Sequence, residues 1–366
     1  MDTLTSGYRL MELIALSGEF TPELVSRLGI SPSYGEKLIT RLKEEKLIKT
    51  HYKDRLRGYR LTSRGKKLLL KKNPDRFSFY LDGSSDTNQP RSDLPRRLRL
   101  QQSSRVYVLL QNADVTFFRD EKPLLFQEGN GDEKPLPLPV FYHSREIKEL
   151  GAEAVKINNS RTIGVLFTEK CIYAVFYTDN SLIKWEYKTE IRVKALLSYH
   201  ISLGLLSGCY HPDTPIKALM IGHDMETSVK LLTSTGGYRR SYFYLDTSFD
   251  VFHFIPDNHA GEILIRLLCS PSLSEALRQL LLSDLKPTCP DYGLEYDAVS
   301  EDMPVLLAYD FDMLRISRFL TGLSMHRRHG IIICFDFQKE ALLQYCGESV
   351  TINTIDLAKF ERGFLH

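Results

Sequence analysis

Signals for helices, turns and strands follow one another closely between residues 21 and 72. Thr21 can cap a helix whose first residue is Pro22, where the missing N–H costs nothing, and Gly29 ends that helix. Ser31-Pro32 begins a second helix at once, so we predict two short helices joined by a turn of about four residues. Their apolar residues lie on one face of each helix and predict a shared core of Leu24, Val25, Leu28, Leu38, Ile39 and Leu42.

The residues that follow predict two strands and another helix. Residues 47–52 and 58–62 have the composition of short strands, with Lys53-Asp54-Arg55-Leu56-Arg57 as the hairpin tip between them. Ser63 then caps a basic helix that ends at Lys72. The segment 8–16 gives a preceding helix whose apolar side faces this group.

This order resembles the winged helix-turn-helix fold of DNA-binding proteins, and Gly58-Tyr59-Arg60-Leu61-Thr62 before a helix is typical of its second wing strand. The resemblance implies an α+β domain over 1–72 whose second helix enters the major groove while the hairpin lies against the backbone or minor groove. It implies DNA contacts by Lys37, Thr40, Arg41, Lys43, Lys53, Arg55, Arg57 and Arg60. The alternative is a small helical interaction domain with a solvated basic face.

The distribution of charge favours DNA binding. Residues 1–72 contain 16 Lys and Arg against 8 Asp and Glu, a net charge of +8, whereas the whole chain contains 48 against 46. The remainder therefore has 32 against 38, a net charge of −6. Binding to phosphates requires such a basic region, because each neutralised phosphate releases counterions.

Length and composition narrow the class of protein. The 366 residues are enough for two or three domains, and no apolar run approaches the roughly 18 residues of a membrane span. Residues 1–5 lack the basic start and apolar core of a signal peptide, so we expect a cytoplasmic protein without membrane contact. The six cysteines show no paired spacing, and Cys171 and Cys334 lie in apolar runs, so we predict buried thiols in a reducing compartment.

A polar stretch over 83–92 predicts the boundary between domains, within a linker over 73–92. Asp93 then caps a helix that extends to about Asn112 and carries Arg96, Arg97, Arg99 and Arg105. Two interpretations of these arginines remain open: a solvated helix face, or a basic strut beside the DNA.

Residues 93–366 predict one α/β domain with a mixed, mostly parallel sheet. A hairpin is expected over 115–141, including an extended proline-rich connector at 134–139, and a helix over 144–150. Strands are predicted over 162–168, 171–178, 182–188 and 216–221, with a helix over 191–203. Later strands alternate with helices: 251–255, 305–309, 331–335 and 350–355. No internal repeat is evident.

The order of elements from 144 to 221 resembles the core of the restriction-endonuclease-like nucleases. The resemblance implies a Glu-x-Lys on the third strand, here Glu186 and Lys188, and an acid on the second strand that shares a metal ion with it. The acid nearest that strand, Asp179, falls at the turn, and hairpin pairing would leave about 13 Å along the strand to Glu186 at 3.3 Å per residue. We therefore interpret this core as degenerate, and Mg²⁺ is expected only under the nuclease alternative.

Acidic residues also follow several predicted strands: His223-Asp224, Asp257-Asn258, Asp310, Asp312, Asp336 and Asp356. Ligands bind at the carboxyl ends of strands in open α/β sheets, and carboxylates there can hold Mg²⁺. The simpler interpretation is that each Asp caps the helix that follows. The basic run 326–329 could touch phosphate, although most such runs are solvated loops.

The whole chain resembles the replication-relaxation family of bacterial plasmids and conjugative elements, on the order of its elements. Where we expect Pro-Asp-Gly and Glu-x-Asp in that family, this chain has Thr178-Asp179-Asn180 and Glu186-Tyr187-Lys188. The resemblance implies a sequence-specific binder of double-stranded DNA in replication, transfer or their regulation, with a homodimer or replication and conjugation proteins as further partners. Two alternatives stand beside it: a metal-dependent DNA nuclease, and a transcription regulator whose α/β domain senses a ligand.

Overall fold

A computed structural model describes residues 3–125, 136–148, 160–203, 206, 210–239, 241–287 and 293–365. The chain forms two compact units, Met1–Leu124 and Leu125–His366, and together they make a mixed α and β protein. None of the helices in these ranges is long and apolar enough to cross a membrane.

Helices surround one hairpin in the first unit. Its elements are α1 (Thr3–Ser17), a 3-10 helix (Pro22–Leu28), α2 (Pro32–Glu44), β1 (Ile48–Lys53), β2 (Leu56–Leu61), α3 (Ser63–Lys72), α4 (Pro74–Leu81), α5 (Leu94–Asn112) and a 3-10 turn (Arg119–Glu121). The six apolar residues predicted as a shared core are all buried. The segment after Thr21 is a 3-10 helix rather than an α-helix, since Gly29 turns the chain with a φ of 73° after only seven residues.

The hairpin is tighter than predicted. Strands β1 and β2 pair as far as Lys53 and Leu56, so Asp54 and Arg55 alone connect them. Both have positive φ, 53° and 60°, as the tight turns that match strand twist require. Lys53 and Arg57 therefore lie on strands and not in a loop.

The predicted linker over 73–92 is wrong, because this segment packs into the first unit. Helix α4 buries Phe77 and Tyr80 at 0% and 1% exposure. The Thr87 hydroxyl donates to the carbonyl of Tyr80 at 2.7 Å, and the backbone at 90–91 accepts hydrogen bonds from Arg60. A polar composition predicted a boundary, but side chains satisfy this backbone, and the unit continues to Leu124.

The second unit alternates strands and helices. Its elements are β3 (Val140–His143), α6 (Ser144–Lys148), β4 (Thr162–Phe167), β5 (Ile172–Tyr177), α7 (Tyr187–Ser202), β6 (Ile216–Gly222), α8 (Met225–Leu232), β7 (Phe252–Pro256), α9 (His259–Cys269), α10 (Pro271–Leu282), β8 (Lys286–Pro287), β9 (Ala298–Ser300), β10 (Met303–Leu307), α11 (Met313–His326), β11 (Gly330–Phe335), α12 (Lys339–Cys346), β12 (Val350–Ile355) and α13 (Leu357–Phe364), with 3-10 turns at Asp336–Gln338 and Gly347–Ser349.

Its two sheets have the same connectivity. One has the order β3-β4-β5-β6-β7, and the other β8-β9-β10-β11-β12. In each, the first three strands form antiparallel pairs and the last three form parallel pairs. The residues after β10 join the sheets, since the Phe254 N–H donates to the Phe311 carbonyl at 3.1 Å. The unit thus repeats one topology, which the sequence did not reveal.

Two predicted elements of the second half are wrong within the described residues. No strand forms at 182–188: Lys184 makes a single bridge to Tyr242, and α7 begins at Tyr187. The place beside β5 is occupied by β6, which pairs with it in parallel from Ile172 onward. The hairpin expected over 115–141 is also missing from its described part; 126–135, including the start of the connector, lies outside the described residues, as do 149–150 of the predicted helix.

The described cysteines agree with the sequence. Cys171, Cys269, Cys334 and Cys346 are free and buried, and burial raises the pKa of the Cys334 and Cys346 thiols to about 12. Cys209 and Cys289 lie outside the described residues.

Candidate functional site

Six of the eight residues predicted to contact DNA are exposed on the first unit. Helix α2 turns Leu38, Ile39 and Leu42 inward, which leaves Lys37, Thr40 and Arg41 on its outer face. Lys53, Arg55 and Arg57 are exposed on the hairpin. Arg41 forms an exposed ion pair with Glu45 at 2.8 Å, which a ligand can displace at little cost.

Lys43 and Tyr59 connect helix α2 to the hairpin. The Lys43 ammonium lies 5.3 Å from the centre of the Tyr59 ring, and the Arg57 guanidinium lies 5.8 Å from it. Partial burial, and then the nearby charge of Arg57, lower the pKa of Lys43. The two cations are therefore held close together over one aromatic ring, on the hairpin side of α2.

Tyr52 is a residue of this surface that the sequence analysis missed. It pairs with Arg57 across the hairpin, so both side chains lie on the same face as Tyr59. Its side chain is 68% exposed, although tyrosine usually buries most of its ring. The alternation of β1 could have identified it, because Thr50 and Tyr52 share one face of the strand. We call Lys37, Thr40, Arg41, Lys43, Tyr52, Lys53, Arg55 and Arg57 the helix-hairpin surface.

Arg60 does not belong to this surface, which corrects the prediction that it contacts DNA. Its guanidinium is buried and lies 2.6 Å from the Glu19 carboxylate, whose side chain is 0% exposed. Its remaining N–H groups donate to the carbonyls of Pro90 and Arg91 at 2.9 and 3.1 Å. Arg60 lies on the opposite face of β2 from Tyr59, so it points into the unit.

Arg97 is the second cation of this buried cluster. Neither interpretation of the α5 arginines describes it, because its side chain is 0% exposed and lies 2.7 Å from Glu19. Its guanidinium also donates to the carbonyls of Lys53, Leu56 and His51 at 2.7, 3.0 and 3.3 Å. Arg97 therefore binds both strands beside the hairpin turn.

Gln101 and Gly58 complete the cluster around Glu19. The Gln101 amide donates to Glu19 at 2.7 Å and to the carbonyl of Arg57 at 3.0 Å. A Cβ at Gly58 would lie 2.4 Å from the Glu19 carboxylate, so only glycine fits. Burial alone would raise the pKa of Glu19. The hydrogen bonds from Arg97 and Arg60 lower the pKa by more than burial raises it, so the pKa of Glu19 is below its usual value. The carboxylate is therefore charged at neutral pH.

The predicted nuclease residues of the second unit are not placed as that chemistry requires. Glu186 and Lys188 are exposed at the start of α7, where the Glu186 carboxylate accepts the Thr189 hydroxyl at 2.9 Å. Asp179 is exposed after β5. No strand brings these three residues together, and no group of three or more His, Cys, Asp or Glu that could hold a metal occurs in the described parts of the chain.

Three of the six acids at strand ends cap helices. Asp224, Asp312 and Asp356 accept N–H groups from the first turns of α8, α11 and α13 at 3.0, 3.1 and 2.8 Å. Asn258 caps α9 in the same way. Asp257 instead accepts the Tyr177 hydroxyl at 3.1 Å. In the basic run 326–329, Arg328 donates to the carbonyl of Asp302, so part of this run is engaged within the unit.

Comparisons with protein-family models, with curated proteins and with solved structures find no match to this chain.

Proposed function

We propose that the first unit is a winged helix that binds double-stranded DNA through the helix-hairpin surface. The observation that carries the proposal is that Lys43 and Arg57 share the Tyr59 ring. This contact places a cation of α2 beside a cation of the hairpin. A helix and an adjacent hairpin of this kind suit one groove and the neighbouring phosphates.

Net charge supports the proposal. Residues 1–124 contain 24 Lys and Arg against 15 Asp and Glu, a net charge of +9, and the rest of the chain contains 24 against 31, a net charge of −7. Two of the buried cations, Arg60 and Arg97, are paired with Glu19. The exposed cations of the surface remain available for phosphates, and their contacts supply affinity that falls with salt.

The two parts of the surface have different roles in this proposal. Residues of α2 read base edges, and Arg41 reads guanine, because a guanidinium can bond to its O6 and N7 together. Lys53, Arg55 and Arg57 bind phosphates and fix the register without reading sequence. We further propose that the protein acts in the replication, transfer or regulation of a bacterial mobile element, a role supported by the resemblance of element order described above.

Binding titrations of the full-length protein test this division of roles. We expect Arg41→Ala to lower the preference for a duplex selected from random sequence over a scrambled one, by about 1–3 kcal/mol. Arg55→Ala and Arg57→Ala should weaken binding to both duplexes alike and lower the slope of affinity against salt by about one unit. Lys71→Ala removes an exposed charge from α3 outside the surface and is the matched control, with a smaller expected effect. A wild-type protein that binds neither duplex at low salt would refute the proposal.

A further inference from the structure

We infer that Arg97 is a positioning residue, which holds the β1–β2 hairpin in the orientation that places its cations against DNA. This inference rests on the proposed function. Arg97 itself is 0% exposed and cannot touch a ligand, so any effect on binding acts through the hairpin.

The hairpin needs an anchor outside itself. It is a sheet of two strands, and two strands alone are marginally stable in water. At the end near the turn, the face that carries Tyr52 and Arg57 is exposed, with Tyr52 at 68%, so this end of the hairpin adds little packing. Asp54 and Arg55 of the turn are exposed, and the residues proposed to bind phosphate lie on and beside this turn.

Arg97 supplies this anchor at the turn. Its donors bind the carbonyl of Lys53 on β1 and that of Leu56 on β2, the last pair before the turn. A guanidinium offers five N–H donors in one plane, and here they reach three hairpin carbonyls and a carboxylate together. A lysine at this position carries the same charge but lacks the planar fork, so it cannot hold both strands in one geometry.

Glu19 fixes the position of Arg97. The carboxylate lies at the end of α1, where Phe20 pairs through its backbone with Tyr59, and it binds Arg97, Arg60 and Gln101 at once. Because Glu19 is buried and charged, its partners hold it in a single arrangement. The cluster around Glu19 therefore fixes the residues around the turn relative to α1 and α5.

The same contacts reach the proposed phosphate ligands directly. The carbonyls of Lys53 and Arg57 accept the bonds from Arg97 and Gln101, while the side chains of both residues are exposed. Side chains of α5 thus hold the backbone of both residues that we propose to bind phosphate. Arg55 lies between them in the turn and depends on both.

The test combines Arg97→Lys with Arg55→Ala in the full-length protein. In the wild-type background, Arg55→Ala lowers affinity and the salt slope. In the Arg97→Lys background we expect Arg55→Ala to have less effect, with a non-additivity of at least about threefold in affinity, because a displaced turn no longer meets the phosphates. Arg99→Lys is the matched control, since Arg99 is exposed on the same helix and its guanidinium donates to the carbonyl of Pro95 in its own turn at 3.4 Å.

Hydrogen exchange of residues 48–61, without DNA, is the second readout. We expect faster exchange of the hairpin in Arg97→Lys, with residues 32–44 of α2 unchanged. Gln101→Met provides a milder variant if Arg97→Lys fails to fold, because it keeps the side-chain volume and removes only the bonds to Arg57 and Glu19. Full additivity with Arg55→Ala, or wild-type exchange of the hairpin in both variants, would overturn the inference. If the hairpin exchanges faster in Arg97→Lys but the wild-type protein binds no DNA, the proposed function is overturned. Arg97 would then stabilise the hairpin without a role in DNA binding.

Discussion

Glu190 is buried without a cation bound to its carboxylate among the described residues. Its side chain lies in the first turns of α7 and accepts the Ser160 hydroxyl at 2.5 Å and the Arg161 N–H at 3.0 Å. Loss of water contact is the main reason that the pKa of Glu190 is raised to about 7, and the nearby Glu186 adds to it. At pH 8 the folded protein must therefore hold a buried carboxylate that two neutral donors only partly stabilise.

We predict that Glu190→Gln stabilises the protein above pH 7 and has little effect at pH 4.5. The pKa of Glu190 is higher in the folded protein than its unfolded value of 4.5. The protonated side chain therefore contributes fully to stability below pH 4.5, and this contribution is lost as the pH rises through 7. The difference between the folded and unfolded pKa values lowers the free energy of unfolding at pH 8 by about 3 kcal/mol at most. Glutamine does not ionise and so avoids this loss, while its side-chain carbonyl still accepts the Arg161 N–H. Urea unfolding of both proteins at pH 5 and pH 8 measures the difference.

Glu186→Gln is the control for this prediction, since Glu186 is exposed four residues before Glu190, at the N-cap of the same helix. Its effect should be small at both pH values. An equal stability of Glu190→Gln and wild type at pH 8 would show that Glu190 is already solvated there.

Among the elements, those defined by local signals could be predicted. Turn residues such as Gly29 and the prolines at helix starts predicted the order from α1 to α3, because each signal acts within a few residues. The proposed caps were wrong in detail, since Thr21 makes no side-chain cap and Thr62, not Ser63, caps α3.

The absence of the strand predicted at 182–188 could not be foreseen, because the strand that takes its place beside β5 comes from a distant part of the sequence. Trp185 is buried against Phe176 and Phe243 while the chain starts a helix, and β6 takes the place beside β5.

The candidate site divides in the same way. The exposure of Lys37, Arg41 and Arg55 follows from the local pattern of apolar and polar residues, which can be seen in the sequence. The burial of Arg60 depends on Glu19 and on a backbone segment 30 residues away, which no local pattern contains. The role of Arg97 was missed for the same reason, since its partners lie 41 to 78 residues distant.

At the scale of elements, helix α5 is predicted to be part of the folding unit of the hairpin. A fragment of residues 1–72 keeps the Glu19–Arg60 pair but lacks Arg97, Gln101 and the carbonyls at 90–91, and loss of partners from a buried ionic cluster is destabilising. We expect this fragment to unfold, and the fragment 1–124 to show a cooperative thermal transition by circular dichroism. A fragment 1–72 with the same transition temperature as 1–124 would contradict the prediction.

At the scale of the whole molecule, the repeated topology of the second unit explains why acids follow its strands. Asp224 after β6 and Asp336 after β11 occupy equivalent turns, and Asp257 after β7 corresponds to Asp356 after β12. Each of these strands leads directly to a helical turn, whose first N–H groups need an acceptor. Asp224 and Asp356 supply it, whereas after β7 the neighbouring Asn258 does so and Asp257 binds Tyr177. The recurrence of acids is thus a consequence of two similar halves with similar strand-to-helix turns, and it does not by itself indicate shared chemistry.

The last prediction follows from this arrangement: purified protein will not cleave supercoiled plasmid with Mg²⁺ or Mn²⁺. Metal-dependent cleavage of a phosphodiester needs carboxylates that share an ion beside the scissile bond. Here Glu186 and Lys188 begin helix α7, and Asp179 follows a strand that does not pair with their segment. Gel analysis over hours at several metal concentrations is the measurement, with Glu186→Ala and Lys188→Ala prepared in parallel. Nicking by the wild type that both variants lose would contradict the prediction and favour a targeted nuclease, whereas nicking that both retain would point to a contaminant.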